Sequence, residues 1–418
     1  MPCKQEIHSL ENGLRHYPSR TVQVFNATHL TRILRKHILD TNADQGRKEF
    51  TTEQWIKSLF VMQIQKFHSV RDFLRQFEQN HGWQLICDLQ GNVPTQGQYS
   101  RKIPDPRIQE VLVFAFQTYE RLIPLQRTKL PFTPSSAQLE LLGLGYYPFR
   151  MDCTAFEVSP ARYPYASKGY VATEKQPRPS ARLHVIQEGI HGLITNYGPS
   201  QGHEHESPIA DVLLQETTEI NAWLREHQLQ HQFHPFFTFD RGYWKQARFR
   251  ELDQRGWGWS IPWKKKQFIG TQLEILEFPV PENSPIEITV WASKGDTPWR
   301  RIIGKIDSKD DQIWDVLTNI WMLRATTVIW LQKERWGIEQ LFEWLKQNTT
   351  IKRPLGKSWL HFVTHCLLVT LLQLILIYYL LLLGFSRWQS HLTQLLKDLR
   401  HTDLEPWPDY YILGEMAF

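Results

Sequence analysis

Two rhythms of apolar and polar positions run along the chain, and the change comes near residue 149. Before it the spacing is helical. TTEQWIKSLFVMQ (residues 51–63) opens with Thr51 and Gln54 at capping-box spacing and continues through Trp55, Leu59 and Met62. SVRDFLRQF opens at Ser69 with Asp72 three residues on, and sets Val70, Phe73, Leu74 and Phe77 on one stripe. A further apolar helix is expected from Ile108 to about Leu122. Residues 1–125 therefore read as a small helical domain. Its basic edges (Arg32, Arg35, Lys36; Arg101, Lys102) suit DNA binding, and the same pattern suits a plain scaffold. Residues 126–148 carry Pro131, Pro134, Pro148, Gly143 and Gly145 and are expected to be an irregular linker.

From 149 onward strands alternate with helices. FRMDCTAFEV (149–158) reads as a strand, and RLHVIQ and GLITNY flank EGIHG as a hairpin. SPIADVLLQETTEINAWLREH (207–227) is an amphipathic helix. PFFTFD (235–240) is a short apolar run ending in Asp, as a buried strand would be. YWKQARFRELDQRG is a helix closed by Gly256, and WGWSIPW (257–263) is a strand that leads into Lys264, Lys265 and Lys266. Residues 267–322 then show strand alternation without helices. Helical periodicity returns near Thr326 and runs into a long apolar helix, followed by amphipathic SHLTQLLKDLR (390–400). The order is that of an α/β fold.

Composition supports a folded chain, with 41% hydrophobic and 22% charged residues, and the 418 residues suffice for two or three domains. A net charge of +5 permits a polyanionic partner without demanding one. The four Cys stand apart at 3, 87, 153 and 366, which suggests neither a disulfide framework nor a metal site and fits a reducing, cytoplasmic setting. No apolar signal segment opens the chain. CLLVTLLQLILIYYLLLLGF (366–385) is long enough to span a bilayer, and its composition suits a fully buried core helix equally. HEHES (203–207) sets two His two apart before a helix, where capping is the commoner use, and no third metal ligand is evident.

Three carboxylates stand where chemistry gathers in such a fold. Asp152 lies within the first strand, Asp240 ends the central apolar strand, and Glu339 lies on the helix after the β block. A carboxylate ending a buried strand is costly unless paired or metal-bound, and the carboxyl ends of strands in open α/β sheets are where ligands collect. Three such groups together suit Mg²⁺, a hard cation that takes oxygen ligands. Each also has a purely structural reading. Asp152 can cap a turn, Asp240 can open one before Arg241 and Gly242, and Glu339 can pair with Arg335 along a helix. At about 100° per residue, Arg335, Glu339 and Lys346 fall within about 40° of one another on a continuous helix. Glu343 is offset toward solvent.

RWGIEQLFEWLK resembles the signature of bacterial insertion-sequence transposases of the DDE class, in the subgroup called insertion-sequence family four. That signature is Tyr-x2-Arg-x3-Glu-x6-Lys. Arg335, Glu339 and Lys346 match it, while Gln332 stands at the Tyr position. FDRGYW (239–244) is similar to the family's second-Asp motif, and MDCT (151–154) to its first, more weakly. The resemblance covers about 150–385.

The resemblance implies a ribonuclease H-like core, a mixed sheet with flanking helices, interrupted by a β-rich insertion and preceded by a small helical domain. The implied borders are 1–125 helical and DNA-binding, 126–148 linker, 149–266 first part of the core, 267–322 insertion, 323–400 second part of the core and 401–418 an irregular tail. It implies Asp152, Asp240 and Glu339 as catalytic residues and as ligands of two Mg²⁺ ions, with Mn²⁺ as a substitute. DNA contacts are expected from Arg335, Lys346, Arg241, Tyr243, Lys264, Lys265, Trp336 and Gln332. The implied activity is cutting at insertion-sequence ends and joining of the freed 3′-OH to target DNA. The partners are double-stranded DNA, as terminal inverted repeats and target, and a second protomer in the synapse, in the bacterial cytoplasm and nucleoid. Three alternatives share parts of this pattern: a nuclease of the same fold without strand transfer, a catalytically decayed copy, and a membrane protein spanning at 366–385.

Overall fold

The computed structural model describes residues 20–41, 49–89, 91–127, 134–171, 176–204, 206–215, 233–264, 271–272, 286–291, 298–306, 312–385 and 389–404. The chain forms two compact units. One combines Met1–Pro131, Val158–Ala166 and Trp344–Phe418; the other combines Phe132–Glu157 and Ser167–Glu343.

The first unit is helical. It contains α1 (Arg20–Ala27), α2 (Leu30–Thr41), α3 (Thr52–Ile64), α4 (Val70–Phe77), α5 (His81–Ile86), α6 (Gln96–Lys102) and α7 (Pro106–Arg127). Local chemistry sets the helix starts. Thr51 and Gln54 make both bonds of the capping box that opens α3, and Ser69 caps α4 by accepting from the Asp72 N–H. The long apolar helix, α13 (Trp359–Leu382), belongs to this unit and packs on α7, α1 and α3. Its apolar window has a mean hydropathy of 2.2, and 89% of that window is buried inside the protein. A helix apolar on all sides is thus covered by other helices, as a core helix is. His365 on α13 is fully buried and bonds Thr350 Oγ1 through Nε2 at 3.0 Å.

The described strands of the second unit form one ten-stranded sheet. The unit's elements are α8 (Ser136–Gly143), β1 (Tyr146–Glu157), β2 (Ser167–Val171), β3 (Gln176–Glu188), β4 (Ile194–Gln201), α9 (Glu206–Gln215), β5 (His234–Phe239), a 3-10 turn at Arg241–Tyr243, α10 (Gln246–Gln254) and β6 (Gly258–Pro262). They continue with β7 (Thr271–Gln272), β8 (Ile286–Trp291), β9 (Trp299–Gly304), β10 (Trp314–Thr318) and α11 (Ala325–Glu334). The next helix, α12 (Gly337–Asn348), runs on past Glu343, the last residue of this unit. The last described helix, α14 (Gln389–Leu404), belongs to the first unit.

Strand order is β2-β3-β1-β5-β6-β10-β9-β8-β7, with β4 also on β3. β1 pairs antiparallel with β3 and parallel with β5, and β5 pairs parallel with β6. A mixed sheet with helices on both faces is the α/β arrangement that the alternating pattern predicts. One face carries a core of Phe149, Met151, Phe237, Phe239, Phe249 and Trp259 under α9 and α10. The other packs Phe236, Val316 and Ile302 against Leu141 of α8 and Val328 and Ile329 of α11.

Three expectations change. The stretch expected as an irregular linker contains α8, opened by a full capping box from Ser135 and Gln138. The block expected as a β-rich insertion continues, in its described strands, the sheet of the core, because β10 pairs with β6 and carries β9, β8 and β7 outward. Helical periodicity through 326–348 does not give one helix: α11 stops at Glu334, and Arg335 and Trp336 form a turn before α12. Of the helix expected over 207–227, residues beyond Gln215 lie outside the described residues.

Candidate functional site

Strand register brings two of the three carboxylates together. The parallel β1–β5 ladder pairs Phe149 with Phe237 and ends at Met151 opposite Phe239. One residue further on, the same register sets Asp152 beside Asp240, at the carboxyl end of β5 where α/β sheets bind ligands. Asp152 stays in β1 and is buried, and its Oδ1 accepts the Cys153 N–H at 2.8 Å. Asp240 leaves the sheet. Its Oδ2 accepts the Gly242 N–H at 3.2 Å and caps the 3-10 turn. The Glu206 carboxylate lies against position 242, where a Cβ would push it aside.

The third carboxylate arrives through the break between α11 and α12. Trp336 N–H donates to Lys333 O, and Ile338 N–H donates to Arg335 O, so the backbone makes a tight turn. Arg150, a residue of β1, lies close beneath it: a Cβ at position 337 would stand 2.5 Å from its Nη1. The turn directs the Arg335 guanidinium onto all three acids. Nη1 donates to Asp152 Oδ2, while Nη2 lies 3.0 Å from Glu339 Oε1 and 3.6 Å from Asp240 Oδ1. Arg335 is 13% exposed and Glu339 45%.

Electrostatics follow from this geometry. Burial pushes the Asp152 carboxyl up to about 7 against the pull of Arg335, and the negative charges of Asp240 and Glu339 add to the rise. Burial alone would lower the Arg335 guanidinium, but the three acids together hold it above its ordinary value. The structural readings of these residues are met as well: Asp240 caps a turn, and Arg335 and Glu339 form an i,i+4 pair.

The donor set tests whether a divalent metal suits the place. All three side chains offer carboxylate oxygen, the donor that hard cations take. They already surround one positive group, the guanidinium, which stands in for such a cation. Among the described residues, no three His, Cys, Asp or Glu side chains are arranged to enclose an ion as they stand. The residues fit the ion chemically, and Arg335 fills the space among them.

The other expected contact residues divide. Gln332 is 2% exposed and faces inward, donating to Phe239 O at 2.9 Å while its Oε1 accepts from Ser260 Oγ at 3.1 Å. Tyr243 is fully buried, and its hydroxyl sits 3.1 Å from His184 Nδ1; His184 Nε2 lies 2.8 Å from Ser200 Oγ. Both are therefore internal supports in this structure rather than surface contacts, because their polar atoms are engaged inside the fold. Arg241 is exposed, with Nη2 on Trp263 O at 2.7 Å. Trp336 is 57% exposed, Lys264 is half-buried, and Lys346 lies half-buried in the last turn of α12. Lys265 lies outside the described residues, as does His205 of HEHES. Glu343 is exposed.

Glu206, the second Glu of HEHES, is a neighbour of the acids that the sequence placed only before a helix. It opens α9, pairs with Arg182 at 3.1 Å and lies against Gly242 beside Asp240. The available signal was an acidic residue at a helix start, which is too common to select it. Glu334, one of the acids in the signature stretch, accepts from Gln138 Nε2 at 3.1 Å and lies 3.9 Å from Arg150.

A family model described as the transposase DDE domain matches residues 145–375, more than half of the chain. No curated protein matches it. Among solved structures, the cryo-EM structure of a piggyBac transposase synaptic complex with hairpin DNA is similar at a TM-score of 0.45 and 10% identity. The match covers 96% of this chain and 85% of that one.

Proposed function

The chain belongs to the transposase DDE domain family, and from that membership we propose that it cuts DNA at the ends of an insertion sequence and joins the freed ends to target DNA. The proposal includes the Tyr-Arg-Glu-Lys subgroup, with Gln332 replacing the tyrosine, and a ribonuclease H-like core. The observation that carries it is the β1–β5 register, which seats Asp152 beside Asp240, with Arg335 tying both to Glu339.

Asp152, Asp240 and Glu339 would hold two Mg²⁺ ions, which when bound supply an activated water and neutralise charge on the leaving oxygen. Arg335 would grip a phosphate through its planar fork and Lys346 as a point charge. Trp336 offers an exposed face beside Arg335 on which a base can stack. Arg241, Lys264 and Lys265 would add salt-sensitive backbone contacts. In the first reaction, water forms a bond to phosphorus as the P–O3′ bond breaks, leaving a 3′-OH on one side and a 5′-phosphate on the other. In the second, that 3′-OH attacks a target phosphodiester and displaces the target's own 3′ oxygen, so phosphodiester bonds are conserved. Two ends must be held at once, which calls for a dimer on double-stranded DNA.

The test is Mg²⁺-dependent cleavage of DNA carrying the inverted repeats that flank the gene. Asp240→Ala is expected to lose cleavage. Glu339→Gln should lose more than the roughly 10–100-fold typical of an outer-shell partner, while Glu343→Gln stays near wild type. Equal cleavage by wild type and Asp240→Ala would remove the proposed site.

A further inference from the structure

We propose that Arg335 is a resident cation of the acidic cluster, which a divalent ion must displace before the cluster can bind metal. The inference rests on the reading of Asp152, Asp240 and Glu339 as metal ligands. One guanidinium touches all three: Nη1 bonds Asp152, and Nη2 reaches Glu339 at 3.0 Å and Asp240 at 3.6 Å. An ion held by the same three carboxylates would need the space between them, so the two cations exclude each other.

The surroundings explain why the cluster carries a cation in either state. Asp152 is buried, and a buried carboxylate without a partner is strongly destabilising. Arg335 satisfies it without itself being fully satisfied, since Nε is buried with no hydrogen-bond partner among the described residues. The residue sits on a turn between two helices, so its side chain can leave the acids without unwinding either one. Once displaced, the guanidinium is left beside the metal site with an unmet need for an anion, and a DNA phosphate is the anion at hand. Metal entry and phosphate capture by Arg335 are then linked, and by reciprocity each strengthens the other.

Divalent-ion binding without DNA separates this idea from the reading on which it rests. Binding of Mn²⁺ alone, followed by the loss of the free-ion electron paramagnetic resonance signal, is compared for wild type, Arg335→Ala, Arg335→Lys and Asp240→Asn. With the resident cation gone, Arg335→Ala should bind Mn²⁺ about tenfold tighter or more, the change produced when a competitor that fills the site about nine-tenths of the time is removed. Its melting temperature should fall in EDTA and rise with Mg²⁺ by more than that of wild type. Should Arg335→Ala fail to fold in EDTA, Arg335→Lys keeps a charge but lacks the fork that spans three acids, and is also expected to bind Mn²⁺ more tightly than wild type. Equal or weaker binding by the folded Arg335 variants overturns displacement while leaving the metal site intact, provided Asp240→Asn has lost the ion. Binding that Asp240→Asn does not alter overturns the metal site itself, and the inference with it.

Discussion

Gln332 shows how a side chain at a signature position can take an internal task. It bridges Phe239 O, at the end of β5, to Ser260 on β6, and so braces the strand end from which Asp240 projects. Gln332→Ala leaves a buried carbonyl and a buried hydroxyl without a partner, which should destabilise the fold by about 1–3 kcal/mol in urea unfolding. Restoring the signature tyrosine is expected to cost about as much, because a ring at a position 2% exposed overpacks its pocket by about 1–3 kcal/mol. A Gln332→Tyr variant more stable than wild type would show that the pocket was built for the ring. The sequence made the departure visible. It could not show which way the side chain points, since that depends on Ser260 and Phe239, each more than seventy residues away.

Element by element, local pattern and tertiary packing contributed unequally. β1, β5 and the β3–β4 hairpin were legible because a buried strand is a short apolar run bounded by turn residues, and both signals are local. α8 was not legible, because the Pro and Gly around it masked a single capping box at Ser135 and Gln138. The turn at Arg335 and Trp336 was hidden for the opposite reason. Its residues fit the helical period on either side, and the break shows only in the backbone bonds from Trp336 N–H to Lys333 O and from Ile338 N–H to Arg335 O. α13 was ambiguous by composition, since a span and a core helix are equally apolar. Its burial among helices makes a measurable claim: Leu371→Ala should cost about 2–5 kcal/mol by leaving a cavity between protein side chains. A cost below about 1 kcal/mol would mean that protein atoms do not surround that face.

For the whole molecule, buried titratable groups couple stability to pH. Burial pushes the His365 imidazole down to about 3, while in the unfolded chain it titrates near 6.5. Between these values the unfolded chain binds a proton that the folded one does not, so stability is full above pH 6.5 and falls as pH drops toward 3. The loss approaches about 1.4 kcal/mol per pH unit for this one group. Relative to His365→Gln, wild type should therefore lose stability steadily from pH 6.5 to pH 5 in urea titrations; a constant difference would mean that the imidazole titrates alike in both states. At this scale the division of labour between sequence and structure is clearest. The sequence by itself determined the α/β alternation and the elements with strong local pattern, and it offered the three acids as candidates, because periodicity and residue chemistry are properties of short stretches. Only the tertiary structure decided that β10 extends the same sheet, that Asp152 and Asp240 stand side by side, and that Arg335 occupies the centre of the cluster. Each of those facts is a pairing between distant residues. Pairing follows from register, packing and excluded volume over the whole fold, which no short stretch of sequence contains.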